Sequence, residues 1–458
     1  MTNNKHTSLA QQWEQRWHAI EQAGGRYQYI MQQMKEHGFL VERKPIDNMS
    51  PSERERYKKQ LKQEAAEQHK IKKDAWQAYK ANHIVYLGHG IYWSDDTSED
   101  KWDATDGAKR LLENQLPTFK NVKALAGQLN LTISQLKGLC FHREVATRIP
   151  YSHFTITKRS GGERQIWAPV PRLKYAQRWI LDNVLNPMLI HGAAHGFVRG
   201  KSIVSNAENH TNSQLIIKMD IKDFFPSIGW RRVKGVFRQV GYPEQIATLF
   251  AMLCTESPRQ LVKQGNVTYY VALADRCLPQ GAPTSPALTN IISLNLDRRL
   301  TGLAEKHGLR YSRYADDLTF SLPAETTIDT KAKNTLISTL LGSVTKILTE
   351  EGFAINAKKT HIIHQGGVQR ITGLVVNGDS VPRVPRNIKR MLRAAIHNLE
   401  QGKPFREGES FNTLQGYAAW IAMAEPDVGE ALLQKLRQLK NRPLQIELCL
   451  LYTPLMAR

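Results

Sequence analysis

The sequence has little cysteine and lacks any long apolar run. Only four cysteines occur among 458 residues, Cys140, Cys254, Cys277 and Cys449, and none forms a Cys-x-x-Cys pair. This spacing excludes a finger-type zinc site and predicts four reduced thiols in the protein core. No apolar stretch approaches the roughly 20 residues that span a bilayer, and the polar N-terminus is unlike a signal peptide. The sequence therefore predicts a soluble, cytoplasmic protein with no membrane partner.

Acidic residues are also in short supply. The chain has 42 Asp and Glu against 63 Lys and Arg, which gives a formal net charge of +21. Such an excess attracts polyanions, of which nucleic acid is the commonest. A chain of 458 residues can bury a sizeable core and hold two or three domains.

Residues 1–112 read differently from the rest of the chain. Ser50, Pro51 and Glu53 are typical of a capping box with proline at the first helical position. The residues that follow, up to Asn82, carry charge on every helical face, so the helix should bury little. Such a helix is either solvated or lies against something polar such as RNA. We expect a mainly helical N-terminal extension, with no chemistry assigned to it.

Secondary structure is easier to predict after about residue 112, where apolar density rises. The pattern predicts a strand, two helices, a two-stranded hairpin and a further helix in this order: Gln214–Ile221, Trp230–Val240, Pro286–Lys306, Arg310–Leu322 and a helix over residues 336–348 closed by Gly352. This order, with a further strand after the last helix, fits an α+β fold with helices on one face of an antiparallel sheet. The stretch from about residue 381 should be mainly helical, with a helix over Asn387–Leu399.

Three aspartates lie at chemically informative places. Asp220 ends the first predicted strand, and Asp316 and Asp317 lie in the turn of the hairpin. An Asp-Asp pair alone is most often an ordinary exposed turn. Like charges this close resist joint ionisation, however, and a cation normally offsets the repulsion. Mg²⁺ suits such a site because it takes oxygen ligands and keeps positions open for substrate phosphates.

The motifs around these aspartates resemble those of reverse transcriptases. Residues 314–317 (YADD) match the YxDD box, residues 220–227 (DIKDFFPS) resemble the first catalytic box, and residues 278–286 (LPQGAPTSP) resemble the nucleotide-pocket box between them. The similarity runs over roughly residues 113–425. It implies an RNA-directed DNA polymerase with a right-hand fold: fingers and palm over residues 113–375, and a helical thumb or C-terminal region over residues 376–458.

The resemblance also implies a catalytic centre. Asp220, Asp316 and Asp317 would be catalytic and would coordinate two Mg²⁺ ions, with Ile221 as a further metal contact. Asp223 would not bind metal and would make a structural salt bridge or helix cap instead. Two such ions promote in-line displacement at phosphorus, because one sharpens a 3′-hydroxyl nucleophile and the other stabilises the leaving pyrophosphate.

Six residues are expected near the incoming dNTP by the same resemblance. They are Lys158, Arg164, Phe225, Gln280, Gly281 and Lys359. Phe225 would exclude a ribose 2′-hydroxyl, and Gly281 would permit close backbone approach. Residues 158–164 (KRSGGER) read as a hairpin whose basic residues hold the triphosphate; the alternative is a plain basic hairpin. Lys359 would donate a proton to pyrophosphate, with a surface lysine as an equal alternative.

Further motifs resemble bacterial retron reverse transcriptases, in particular the long myxobacterial type. Residues 206–210 (NAENH) match the NAxxH element, residues 194–202 (AHGFVRGKS) look retron-like, and residues 371–373 (ITG) stand where Val-Thr-Gly is usual. The resemblance implies that the enzyme binds a cognate noncoding RNA and primes from a guanosine 2′-hydroxyl. The product would be msDNA, a branched RNA–DNA. It also suggests anti-phage defence with a separate effector protein.

The residues expected to bind RNA are Asn206, His210, Arg199, Lys389, Arg390 and Arg393. The last three lie on the predicted helix from residue 387, which would grip duplex phosphates and make binding salt-dependent. Alternatives remain: Asn206 and His210 could cap and bridge loops, and Arg199 could be an ordinary surface charge.

Other classes fit the sequence less well. A group II intron-type enzyme usually adds a maturase region and often a Cys- or His-rich nuclease domain, and a retroviral enzyme needs an RNase H domain. A third alternative is an RNA-binding scaffold or antitoxin built on a polymerase fold. The three intact carboxylates argue against pure scaffolding.

Overall fold

The computed structural model describes residues 8–94, 103–157, 161–378 and 381–441. The predictions for Lys158 and Cys449 fall outside these ranges. Residue contacts divide the chain into two compact units, Met1–Leu189 with Phe225–Leu288, and Ile190–Phe224 with Thr289–Arg458. The domain boundaries expected at residues 112/113 and 375/376 stay predictions.

Helices make up much of the described chain. Their bounds are α1 Leu9–Gln22, α2 Arg26–Glu36, α3 Pro51–Asn82, α4 Gly107–Glu113, α5 Val122–Gln128, α6 Ile133–Cys140, α7 Pro171–Ile180, α8 Ile203–Glu208, α9 Trp230–Gln239, α10 Glu244–Cys254, α11 Ser285–Ile292, α12 Leu294–Lys306, α13 Thr330–Glu350, α14 Arg386–Glu400, α15 Phe411–Ala424 and α16 Pro426–Lys440. The α3 capping box is confirmed: Ser50 is the N-cap, Pro51 begins the helix, and Ser50 and Glu53 bond reciprocally.

The strands are antiparallel within each sheet. Their bounds are β1 Val145–Ala146, β2 Tyr151–Thr157, β3 Glu163–Pro169, β4 Ser213–Asp220, β5 Arg259–Gln264, β6 Val267–Ala272, β7 Arg310–Tyr314, β8 Asp317–Pro323, β9 His361–His364, β10 Arg370–Ile371 and β11 Leu374–Val375. The sheet orders are β1-β6-β5, β2-β3, β10-β11 and the four-stranded β7-β8-β4-β9. The expected α+β mixture of helices and antiparallel sheet is confirmed, with α1 to α3 supplying the N-terminal helical region.

The four-stranded sheet lies in the second unit and shares a core with the C-terminal helices. Ile216 of β4 is buried in one apolar cluster with Leu392 of α14, Ile421 of α15 and Leu436 of α16. The predicted strand over Gln214–Ile221 therefore corresponds to β4, in the centre of the sheet. Leu215, Ile216 and Ile217 point alternately to the two faces of β4 and are all buried, so both faces of the strand are covered. The C-terminal helices cover the face that carries Ile216.

The prediction of one continuous helix over Pro286–Lys306 is wrong. The apolar stripe over Pro286–Lys306 indicated a single helix, but the chain forms α11 and α12, which are interrupted at Ser293. Ser293 has φ −82° and ψ +4°, so its ψ departs from the helical value. A single residue of altered ψ barely changes the apolar periodicity, which is why the sequence pattern did not show the break.

Three cysteines confirm the prediction of reduced core thiols. Cys140, Cys254 and Cys277 are free and buried. Burial raises the pKa of Cys254 to about 12 and that of Cys277 to about 11, because a thiolate would lose its hydration. Over the described ranges, no helix combines the length and the apolar character needed to cross a bilayer.

Candidate active site

The predicted catalytic hairpin forms, and its turn brings the aspartates together. Tyr314 pairs with Asp317 across β7 and β8, which leaves Ala315 and Asp316 as a two-residue turn. Asp220 pairs directly with Asp317 in the neighbouring β4–β8 ladder, so their Cα atoms are about 5 Å apart. The Asp316 carbonyl accepts a hydrogen bond from the Ile221 amide at 2.9 Å. The three aspartates therefore meet at one end of the sheet.

Asp220 is buried and carries two strong polar contacts. Its side chain is about 5% exposed, and Lys359 Nζ lies 2.7 Å from its Oδ2. Asn356 Nδ2 donates to its Oδ1 at 2.9 Å, and the Asn356 amide donates to its carbonyl at 2.8 Å. The hydrogen bond to Asp220 raises the pKa of Lys359, so this lysine is held as a cation. A positive charge therefore already balances the innermost carboxylate.

Asp317 is half-buried beside other carboxylates. Burial raises the pKa of its carboxyl above the usual value, and the negative charges of Asp316 and Asp220 act in the same direction. Lys218 and Lys359 partly oppose this shift. Since burial and the neighbouring carboxylates both disfavour the charge of Asp317, a cation bound beside it would stabilise the ionised form.

The donor set suits a hard divalent cation, although the side chains are not already gathered around one. In the part of the chain that the structure describes, no three His, Cys, Asp or Glu side chains stand at metal-ligand spacing. Asp220 directs one carboxylate oxygen at the Lys359 ammonium group at 2.7 Å. Carboxylate oxygens are hard ligands, which fit Mg²⁺ or Mn²⁺ better than a softer metal.

A buried ion pair supports the catalytic turn, and sequence reasoning did not identify it. Arg313 and Asp297 are both fully buried, with two contacts of 2.8 and 2.7 Å between guanidinium and carboxylate. Arg313 Nη1 also donates to the Ala315 carbonyl at 3.1 Å and to Asn290 Oδ1 at 3.0 Å. One side chain therefore links β7, the turn and α12. The available signal was Asp297 within the apolar stripe of that helix.

A second support comes from the segment before α8. The Arg313 amide donates to the Ala193 carbonyl, and the His195 amide donates to the Arg313 carbonyl, both at 2.8 Å. A Cβ on Gly196 would lie 2.6 Å from the Ala315 nitrogen, so only glycine allows this approach. Ala315 itself has φ +56°, a left-handed conformation that disfavours L residues. These contacts hold the turn in that conformation.

The expected nucleotide-binding residues belong largely to the first unit. The hairpin predicted at residues 158–164 is confirmed by the pairing of β2 with β3, and Arg164 is exposed on β3. The Gln280 carbonyl accepts from the Trp167 amide at 2.8 Å. A Cβ on Gly281, whose φ is +121°, would meet the Trp167 carbonyl oxygen at 2.7 Å. The close approach that Gly281 permits is thus to the protein's own strand β3.

Two residues of the first catalytic box need separate description. Phe225 is half-buried, and its carbonyl accepts from the Ile228 amide at 3.2 Å. Asp223 is exposed and has φ +47°. An aspartate tolerates that left-handed conformation better than most residues, which gives Asp223 a conformational role in this turn.

Asn206 and His210 are buried in the protein, which favours the alternative that they bridge loops over direct contact with RNA. His210 is fully buried between Ser312 and Ser321, with ring nitrogen to hydroxyl distances of 2.7 Å on both sides. The Ser312 hydroxyl donates to Asn206 Oδ1 at 2.7 Å. The motif therefore connects the segment after α8 to both strands of the catalytic hairpin.

We expect acid to destabilise the protein through His210. Burial lowers its pKa from 6.5 to about 3. Below about pH 6.5 the unfolded chain binds a proton that the folded chain rejects, so stability falls as pH falls towards 3. His210 lowers the free energy of unfolding by up to about 1.4 kcal/mol for each pH unit in this range. Urea unfolding at several pH values measures it. A His210→Gln variant should show a shallower pH slope; an unchanged slope would contradict the assignment.

The other candidate RNA contacts divide into exposed and engaged side chains. Arg199, Arg390 and Arg393 are exposed. Lys389 is largely buried, and its Nζ contacts both Glu425 carboxylate oxygens at 2.9 and 2.7 Å. The ion pair joins α14 to the start of α16, so Lys389 has a structural role in this arrangement.

Comparison with known proteins assigns the chain to a family. Residues 156–398 match the family model described as reverse transcriptase (RNA-dependent DNA polymerase). Retron Mx162 reverse transcriptase from Myxococcus xanthus is 44% identical over 92% of this chain and 88% of that protein. Retron Mx65 reverse transcriptase, also from Myxococcus xanthus, is 36% identical over 70% of this chain and 72% of that protein. Retron Ec86 reverse transcriptase from Escherichia coli is 30% identical over 73% and 93%, respectively.

Proposed function

The chain belongs to the reverse transcriptase family, in its retron branch, and is an RNA-directed DNA polymerase; from that premise, we propose that it copies a structured noncoding RNA into msDNA. Synthesis would start from a guanosine 2′-hydroxyl of the RNA, which makes the product a branched RNA–DNA. The main observation in support of this chemistry is that Asp220 and Asp317 are paired on neighbouring strands, with Asp316 in the adjoining turn.

The three aspartates are proposed to hold the divalent ions that this family uses, as two Mg²⁺. Bound there, these ions would sharpen the attacking 3′-hydroxyl and stabilise the pyrophosphate that leaves. Asp220 is paired with Lys359 at 2.7 Å, so ion binding at this carboxylate competes with the ammonium group. Lys359, once displaced, is a cation within reach of the same site and can donate a proton to pyrophosphate. The metal contact expected at Ile221 stays part of this proposal.

The nucleotide contacts are proposed on the exposed parts of the first unit. Arg164 on β3, with Lys158 before the turn, would bind the triphosphate of the dNTP. Gln280 and Gly281 are fixed against the backbone of β3, so they would shape the floor of the pocket. Phe225 would act as the gate that excludes a ribose 2′-hydroxyl.

The RNA grip is proposed on the exposed face of α14. Arg386, Arg390, Arg393 and His397 are exposed at a helical spacing of three to four residues, so they form one basic stripe. Guanidinium groups in such a row match the phosphates of an RNA–DNA duplex. Arg199 supplies a further exposed charge in the same unit. A role in phage defence with an effector protein is proposed on the resemblance of the motifs to retron enzymes.

The nucleic acid that copurifies with the protein tests the proposal. We expect the enzyme, expressed with its cognate noncoding RNA, to carry DNA that survives RNase and shortens on treatment with a debranching enzyme. Linear DNA that debranching leaves unchanged would contradict priming from a 2′-hydroxyl. A protein that extends a DNA primer on RNA yet never acquires such DNA would keep the polymerase assignment and overturn msDNA synthesis.

A further inference from the structure

A groove of about 810 Å³ opens between α2 and α3, in a part of the chain to which no motif assigns a role. Basic and aromatic side chains line it: Arg26, Tyr27, His69, Lys72, Lys73 and Trp76. Four of them lie on α3 at positions i, i+3, i+4 and i+7, which is one face of a helix. The groove therefore follows the helix axis.

The groove carries a net positive charge because the nearby acidic side chains form ion pairs with arginines outside it. Asp74 of α3 is bound by Arg16 of α1 at 2.6 Å. Glu64, one turn before the groove, is held by both guanidinium nitrogens of Arg43 at 2.9 Å. Glu67 does not line the groove. Lys72 and Lys73 are exposed, so their charges are available to an anionic ligand.

The aromatic side chains present flat faces beside these charges. The Trp76 and Tyr79 rings are stacked within 7° of parallel. The Arg26 guanidinium lies 4.9 Å from the Trp76 centroid and 4.5 Å from the Tyr79 centroid. Tyr27 lines the groove with 69% of its surface exposed, so its ring face is accessible to a ligand. A planar ligand could stack on Tyr27 and on the edge of this group.

The helices beneath the groove form a stable platform. Ile30 of α2 and Ala75 of α3 lie on the lining and are buried in an apolar cluster with Ile20, Met34 and Ala78. Trp13 and Trp17 of α1 pack against the same cluster. Because α1, α2 and α3 share this core, the charged and aromatic groups hold their relative positions before any ligand arrives.

We propose that this groove binds unpaired nucleotides of RNA. Lysines at a fixed spacing contact phosphates, and exposed aromatic and guanidinium planes stack on bases that are not already paired. A duplex offers phosphates but hides its base faces, so the aromatic part of the groove selects single strands. The site would hold RNA independently of nucleotide addition, and the inference stands whether or not the product is msDNA.

Binding of a labelled RNA to the full chain tests the site. The probe is a fluorescein-labelled, unstructured RNA of mixed sequence. Its binding is measured by anisotropy on protein already saturated with a fully paired RNA–DNA hybrid, which occupies the duplex-binding surface and offers no unpaired nucleotides. We expect Tyr27→Ala to weaken binding about 5- to 100-fold through lost stacking. We expect Lys72→Gln with Lys73→Gln to lower the salt slope by about 1.4, since each phosphate contact to single strands contributes about 0.7.

Matched variants separate this site from general charge and from misfolding. Lys58→Gln with Lys59→Gln removes the same charge from exposed positions of the same helix, and Tyr92→Ala removes another exposed tyrosine. These controls should bind as wild type, and all variants should keep activity on poly(rA)/oligo(dT). Equal losses in groove and control variants, or unchanged binding in the groove variants, would overturn the proposal. The proposal would also be overturned if the groove variants lost binding to duplex RNA or to phosphatidylserine vesicles but kept binding to single-stranded RNA. Equal loss for a matched single-stranded DNA would overturn selectivity for RNA.

Discussion

Replacing Asp317 with asparagine should lower RNA-templated dNTP incorporation by about a thousandfold or more. The substitution keeps the shape of the side chain and removes one of three negative charges that converge at the sheet end. Loss of a charge that holds the reacting groups costs on the order of 4 kcal/mol of transition-state stabilisation, which is about a thousandfold in rate. Asp316→Asn should behave in the same way. Incorporation of labelled dNTP on a primed RNA template measures both.

Asp223→Asn is the matched control. It lies in the same sequence box as Asp220, is exposed, and has a left-handed conformation that asparagine also accepts. We expect its activity to stay within a few-fold of wild type. If Asp317→Asn were as active as this control, the assignment of the three carboxylates would be wrong.

Stability distinguishes lost chemistry from a lost fold. Burial and neighbouring carboxylates raise the pKa of Asp317, so its ionised form is less stable in the folded chain than in the unfolded one. The penalty exists above the ordinary carboxyl pKa and is present at neutral pH. Asp317→Asn should therefore unfold at the same temperature as wild type or a higher one. A lower melting temperature would mean that the carboxylate stabilises the fold and that the activity loss has another cause.

The sequence predicted those parts of the site that lie in short, contiguous motifs. The hairpin of residues 314–317, the strand that ends at Asp220 and the glycine turn after residue 160 all form as expected. Local patterns carry this information because alternating apolar residues and turn chemistry determine strands and hairpins from nearby positions. The reverse transcriptase boxes then placed the three aspartates at one site.

Contacts between distant residues were the part that sequence patterns did not show. Nothing local indicates that Lys359 pairs with Asp220, or that His210 lies between two serines of the catalytic hairpin. A polar residue in a motif reads equally well as a ligand contact or as a buried bridge until burial is known. For this reason Asn206 and His210 were expected to contact RNA, whereas both side chains are buried in the protein.

The second large effect that we expect is a loss of stability when the buried ion pair of Asp297 with Arg313 is broken. Replacing Asp297 with alanine leaves the Arg313 guanidinium uncompensated in a position with no solvent exposure. Removing one partner of such a pair costs about 3–5 kcal/mol of folding free energy, since the remaining charge keeps its desolvation penalty. Urea unfolding at neutral pH measures the loss. Arg299→Gln on the same helix breaks two partly exposed ion pairs, with Glu350 and Glu351; it is the control and should change stability little.

A double variant separates stability from positioning at this pair. Arg313→Met with Asp297→Leu replaces two buried charges by apolar side chains of similar volume, a change that is often neutral for stability. It also removes the donor to the Ala315 carbonyl and to Asn290, so the turn that carries Asp316 loses its support. The Tyr311 hydroxyl, which donates to Asp297 Oδ1 at 2.9 Å, also loses its partner. We therefore expect the double variant to be more stable than Asp297→Ala but less stable than wild type. We expect its dNTP incorporation rate to fall at least about tenfold, with KM for dNTP less affected. Recovery of the rate together with stability would show that the pair serves folding alone and that the turn holds its own geometry.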